Sequence, residues 1–165
     1  MRLHLHMRRC ILKINISTSV MLAIDAELFK VFGFWGSILA LKVLAMAVLT
    51  ARYRFAKKIF INPDDVAFAK KGTISNNDPD IERVRRAHLN DLENIPIWYI
   101  VTALWLTTGP SAWLAGILIK AFVFARITHT LAYAVCPMQP QRALGFFVGY
   151  GITGYQAIST MLHYL

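Results

Sequence analysis

The chain has 165 residues, 56% hydrophobic and 16% charged, with a formal net charge of +9. Soluble domains carry about a quarter charged residues, and here the apolar residues are gathered into long runs, which excludes an ordinary soluble globule and points to a single all-α integral membrane domain. The surplus positive charge does not indicate nucleic acid, because the basic residues lie in connections beside apolar runs without interleaved stacking aromatics; Cys10 and Cys136 are too few for a disulfide framework or a zinc cage.

Residues 1–20 form a basic extension with Arg2, Arg8, Arg9 and Lys13 and no acid before Asp25. Such a leader suits a mitochondrial transit peptide or an upstream start with Met7 or Met21 as the other start; the second is favoured, and the extension is expected to lie outside the fold, which occupies residues 21–165. The sequon Asn15-Ile16-Ser17 lies too close to the first span for efficient use. That span covers residues 26–50, with Gly33, Gly36 and Ala40 offering faces for close helix packing. Lys42 falls at mid-depth, where an unpaired ammonium is costly, so it must meet a carboxylate, other helices or water.

The polar connection over residues 51–87 contains Arg52, Arg54, Lys57, Lys58, Lys70, Lys71, Arg83, Arg85 and Arg86, and the positive-inside rule sets it in the cytosol. Asn62-Pro63-Asp64-Asp65 and Asn76-Asn77-Asp78-Pro79-Asp80 are turn or helix-start chemistry. The stretch 82–96 then begins a helix in charge, and the second span continues it to about residue 107, with Pro96 expected to kink it. At about 100° per residue, Arg86, Asn90 and Glu93 fall within roughly 60° of one another, with Arg85 and His88 on neighbouring faces. A guanidinium, an amide and a carboxylate on one stripe can read a zwitterion, since Arg grips a carboxylate through its fork and Glu holds an ammonium. The plainer alternative is a solvated helix start laced with short-range ion pairs.

The third span, residues 112–135, carries Lys120, Arg126 and His129, and Arg126, His129 and Tyr133 share a stripe about 60° wide. After a turn from Cys136 to Gln141, Arg142 opens a fourth span ending near residue 162. Four spans give a four-transmembrane-helix bundle with both ends lumenal. The polar stripes converge with Arg54 and Arg142 at the cytosolic end. So small a bundle shields that much charge poorly, which predicts an oligomer.

The run Glu82-Arg83-Val84-Arg85-Arg86-Ala87-His88-Leu89-Asn90-Asp91-Leu92-Glu93-Asn94 resembles the signature of the MAPEG family, the membrane-associated proteins of eicosanoid and glutathione metabolism. Phe60-Ile61-Asn62-Pro63-Asp64-Asp65, Ala125-Arg126-Ile127-Thr128-His129-Thr130-Leu131-Ala132-Tyr133, and Arg142 through Gly151 match further. The resemblance covers the chain from about Ala26 onward and is strongest to the glutathione-transferase branch. It implies a homotrimer of four-helix bundles in the endoplasmic reticulum and often the outer mitochondrial membrane. Glutathione would bind as co-substrate between subunits near the cytosolic face, without a metal. It would be held by Arg54, Arg85, Arg86, His88, Asn90, Glu93, Arg126, His129 and Tyr133, with Arg142 stabilising the thiolate. The implied activity is conjugation of glutathione to hydrophobic electrophiles, with reduction of lipid hydroperoxides.

Two departures qualify the match. The Asn62-Pro63-Asp64-Asp65 run is followed by Val66 where the transferase branch has a cysteine, so activation by thiol alkylation in that loop is not expected. Pro96 sits one position early. The prostaglandin E synthase branch, a glutathione-dependent isomerase, is the nearest alternative and resembles the chain at Asp65 and Arg142, but it has a serine where this chain has Ala143. A non-catalytic membrane partner would not need Arg86, Asn90, Glu93, Tyr133 and Arg142 together. A transporter or proton relay would rest on Lys42 and Arg126 alone.

Overall fold

The computed structural model describes residues 25–165; the basic extension and its sequon lie outside the described residues. The described chain is almost entirely helical. Four long helices, α1 (Ala26–Lys57), α3 (Pro79–Leu106), α4 (Ala112–Thr130) and α5 (Gln141–His163), are joined by a short helix α2 (Pro63–Ala69) flanked by strands β1 (Ile59–Phe60) and β2 (Thr73–Ile74). A fifth, short helix therefore stands within the polar connection, and the two strands pair in parallel.

Local chemistry sets the boundaries. Asp25 caps α1 by accepting the Glu27 N–H at 2.8 Å, and Lys58 ends it in the left-handed region at φ 56°. Asp78 caps α3 by accepting the N–H groups of Asp80 and Ile81 at 3.1 and 3.0 Å, with Pro79 preset for the first turn. Ser111 caps α4. At its far end α4 widens into a π-helical turn, Leu131–Val135, before the chain leaves at Cys136. The α3 helix runs unbroken through Pro96, although proline removes one helical hydrogen bond.

The long helices form a ring in the order α1, α3, α5, α4, each packed along its two neighbours. The diagonal pair α3 and α4 barely touches through its backbone, and long side chains fill the space between. Trp98 of α3 stacks on Phe122 of α4 at 4.5 Å between centroids, with 3° between the ring planes. Leu39, Ile95, Ile119, Val123 and Ile152 close the same core. Tyr99 donates to the Gly36 carbonyl of α1, and a Cβ on Gly36 would come within 2.8 Å of that ring. The small residue is required for the contact.

The outer faces are apolar as well, with Phe34, Leu41, Leu44, Ile100, Trp113, Phe124 and Phe147 all exposed. A helix apolar all round suits lipid rather than water. Two of the described helical stretches, Ala26–Lys57 and Ala112–Val135, are long and apolar enough to cross a membrane. The helix α3 spends its first half on charge, which dilutes its hydropathy despite 28 residues of length.

Candidate functional site

The inward stripe of α3 is Ile81, Val84, Ala87, Asp91, Ile95, Trp98, Thr102 and Trp105, a spacing of three and four residues that sets one carboxylate in an otherwise largely apolar seam. Asp91 is wholly buried. It receives Lys42 Nζ from α1 and Arg126 Nη2 from α4 at 2.5 Å. Thr130 Oγ1 adds a third donor at 3.3 Å. The same Arg126 Nη2 donates to Asn90 Oδ1 at 2.8 Å, while Asn94 Nδ2 ties back to the Asn90 carbonyl at 2.7 Å. The carboxylate thus answers the requirement that Lys42 raised in the sequence, and it is the residue that helical stripe-reading missed. Val84, Asp91 and Trp98 repeat at two-turn intervals, and that period is the signal that would have found it.

Two cations share this one anion, so the knot keeps a surplus positive charge. Arg126 Nε and His129 Nδ1 are buried with no hydrogen-bond partner among the described residues. One turn further along, the His129 and Tyr133 rings meet edge-on at 5.6 Å. The Arg142 guanidinium lies over the Tyr133 ring at 4.5 Å from its centroid, a cation–π contact that holds the side chain without neutralising it. No carboxylate pairs with Arg142 among the described residues. The approach of α5 to α4 that permits this depends on Gly145, where a Cβ would stand 2.8 Å from the Ala125 carbonyl oxygen.

Asn90, Arg126, His129, Tyr133 and Arg142 are therefore brought together as a polar run at one end of the bundle. Arg86 and Glu93 stand exposed on the outer flank of α3, and His88 is half-buried. Arg85 pairs with Glu82 at 3.0 Å. Arg54 is half-buried with one guanidinium nitrogen lacking a partner. No hydrogen bond or ion pair joins Arg54, Arg85, Arg86, His88 or Glu93 to the inner run among the described residues. Nor do three or more His, Cys, Asp or Glu side chains gather there in a metal-holding group.

Outside the spans, Lys57 clamps the loop, donating to Asp78 at 2.8 Å and to Asp80 at 2.5 Å, and Arg83 reaches Asp80 at 2.9 Å. Lys57 lies beyond the residue-50 end of the first apolar span. Its hydrogen bonds to Asp78 and then Asp80 raise it above the ordinary lysine range, and they hold both carboxyls below theirs.

Fold and site together define an α-helical membrane protein with a cationic, partly unsatisfied polar run at one end of its bundle. The chain belongs to the MAPEG family, whose model matches residues 32–162. It is 42% identical over 146 residues to microsomal glutathione S-transferase 1 of Homo sapiens, covering 84% of this chain and 94% of that protein. Against the protein of the same name from Rattus norvegicus it is 42% identical over 133 residues, 78% of this chain and 86% of the other. Prostaglandin E synthase of Bos taurus is 31% identical over 122 residues, 74% of this chain and 80% of the other.

Proposed function

We propose that the chain is a membrane-bound glutathione transferase that conjugates glutathione to hydrophobic electrophiles and reduces lipid hydroperoxides. The observation that carries this reading is Arg142, a fixed cation held over Tyr133 with no acid to neutralise it among the described residues. The relationship to the microsomal glutathione S-transferases over most of the chain supports it.

Glutathione brings two carboxylates, an ammonium and a thiol. Arg54, Arg85, Arg86 and Arg126 suit the carboxylates and Glu93 the ammonium. Asn90, His88, His129 and Tyr133 supply further donors and acceptors. A free thiol ionises near pH 8.5, so most of it is protonated at neutral pH. A guanidinium beside the sulfur favours the thiolate, each pH unit of lowering representing about 1.4 kcal/mol. The thiolate forms a C–S bond with the electrophilic carbon while the leaving group departs with its electron pair, the thiol proton passing to solvent. For a hydroperoxide, two glutathione molecules supply two electrons and yield the alcohol, water and glutathione disulfide. The groove beside Pro96, about 530 Å³ and lined by Leu92, Ile95, Pro96 and Ile100 among others, suits an acceptor arriving from the bilayer.

In this reading all four long helices span the membrane of the endoplasmic reticulum, and the outer mitochondrial membrane is a second location. Three copies assemble with glutathione between them. The support is the outer flank of α3, where Arg86 and Glu93 share a face with exposed Leu89, Ile97 and Ile100. Charges on a lipid-facing stripe are expensive, and a neighbouring subunit removes that cost.

Product analysis tests the activity. Purified protein given glutathione and an activated aryl halide should yield the thioether and free halide in equal amounts. Glutathione recovered unchanged while an endoperoxide is isomerised would instead assign the prostaglandin synthase chemistry.

A further inference from the structure

The knot around Asp91 lies behind the polar run rather than in it. Asp91 is wholly buried, on the seam between α1, α3 and α4. Yet it touches Arg126 directly and is adjacent in sequence to Asn90, which accepts from the same Nη2. That fixes one corner of the guanidinium on α3. The Nε edge is left buried without an acceptor. A buried donor without a partner is costly, and the knot carries one more positive than negative charge. An anion from outside the chain would supply the missing acceptor.

We propose that Asp91 is a positioning residue for glutathione: through its carboxylate it sets Arg126, and through Arg126 the Asn90 amide, in the orientation that receives a carboxylate of the tripeptide. This assignment rests on the proposed function. Lys42 has a separate task. It balances Asp91 from the α1 side and makes no hydrogen bond to Asn90, Arg126 or His129 among the described residues, so it is dispensable for binding once its own charge is removed. Thr130 steadies the second carboxylate oxygen.

Asp91→Asn alone strands two buried cations and is expected to destabilise the bundle severely. The informative protein is the double variant Lys42→Met/Asp91→Asn, which removes one cation together with the carboxylate and leaves Arg126 among amides. Its thermal midpoint in detergent, and that of Lys42→Met, should show both folded. The double variant should raise the glutathione Kd and KM about tenfold or more, while kcat at saturating glutathione and the KM of the electrophile stay within about threefold. Lys42→Met should keep the glutathione Kd within about twofold of the unsubstituted protein. Asp91→Glu keeps both ion pairs while moving the carboxylate by one methylene, and it should give an intermediate rise in KM. A folded double variant that binds glutathione as tightly as the unsubstituted protein, or one whose kcat falls while the glutathione KM does not move, overturns the assignment. Glutathione failing to bind the unsubstituted protein would overturn the proposed function and this assignment with it.

Discussion

Lys42, Asp91 and Arg126 in the bundle, and Lys57, Asp78, Asp80 and Arg83 at the loop, are both lysine–aspartate groups with an arginine attached. The first is buried between three helices and the second is partly exposed to solvent. The same chemistry therefore does different things. In the buried group both cations depend on the one carboxylate, because removing it leaves them stranded in a medium of low dielectric. In the exposed group solvent takes over when a partner is lost. What the loop clamp does is local: it ties the end of α1 to the first turn of α3 and closes the strand–helix–strand insert between them.

Replacing Asp91 by Ala breaks the contrast most severely. Lys42 and Arg126 are both stranded, and denaturant unfolding in detergent should show a loss of about 3–5 kcal/mol. Lys42→Met should be far milder, within about 1–2 kcal/mol of neutral in either direction, since Asp91 keeps Arg126 and one desolvated charge is gone. Lys57→Met, which removes the clamp and keeps the Asp78 cap of α3, should leave the global unfolding midpoint in place while amide exchange speeds up over residues 59–74. A matching shift in the global midpoint would mean that the loop clamp carries the fold and that the contrast is wrong.

Salt and pH sharpen the comparison. Raising salt to about 1 M shortens the screening length to about 3 Å and should loosen the loop without touching the buried knot. The lowered Asp78 and Asp80 contribute stability above their unfolded pKa, near about 3.9, and lose it as pH falls through the lower folded values. The raised Lys57 contributes below about 10.4 and loses it as pH rises through its higher folded value. Exchange protection over residues 59–74, corrected for intrinsic rates, should therefore be flat between about pH 5 and 9 and fall on both sides.

Much of this was legible in the sequence because the membrane makes polarity conspicuous. A lone Lys42 in an apolar run demanded a carboxylate, other helices or water, and the carboxylate of Asp91 meets it. The stripe of Arg126, His129 and Tyr133 does face inward as a unit. Asn62-Pro63-Asp64-Asp65 does start a helix, although its seven residues and the two-residue strands around it are too short to show a period. Asp91 was hidden by its neighbours. Arg86 and Glu93 drew attention to the outer flank of α3, and only the seam through Val84 and Trp98 turns Asp91 inward. The π-helical turn was not legible either, since a helical wheel assumes one period throughout and nothing in Leu131–Val135 announces the wider turn. The pairing of Arg126 with Asp91 and Asn90 crosses between helices that barely touch, and no local pattern encodes that.

The most direct test is ultraviolet difference absorbance at the thiolate band as glutathione is added to detergent-purified protein at neutral pH. A saturating rise that disappears in Arg142→Ala is the predicted result: the chain binds glutathione and Arg142 ionises it. A rise of the same size in Arg142→Ala, or no thiolate in the unsubstituted protein while equilibrium dialysis shows glutathione bound, would contradict the role given to Arg142 and the transferase mechanism built on it.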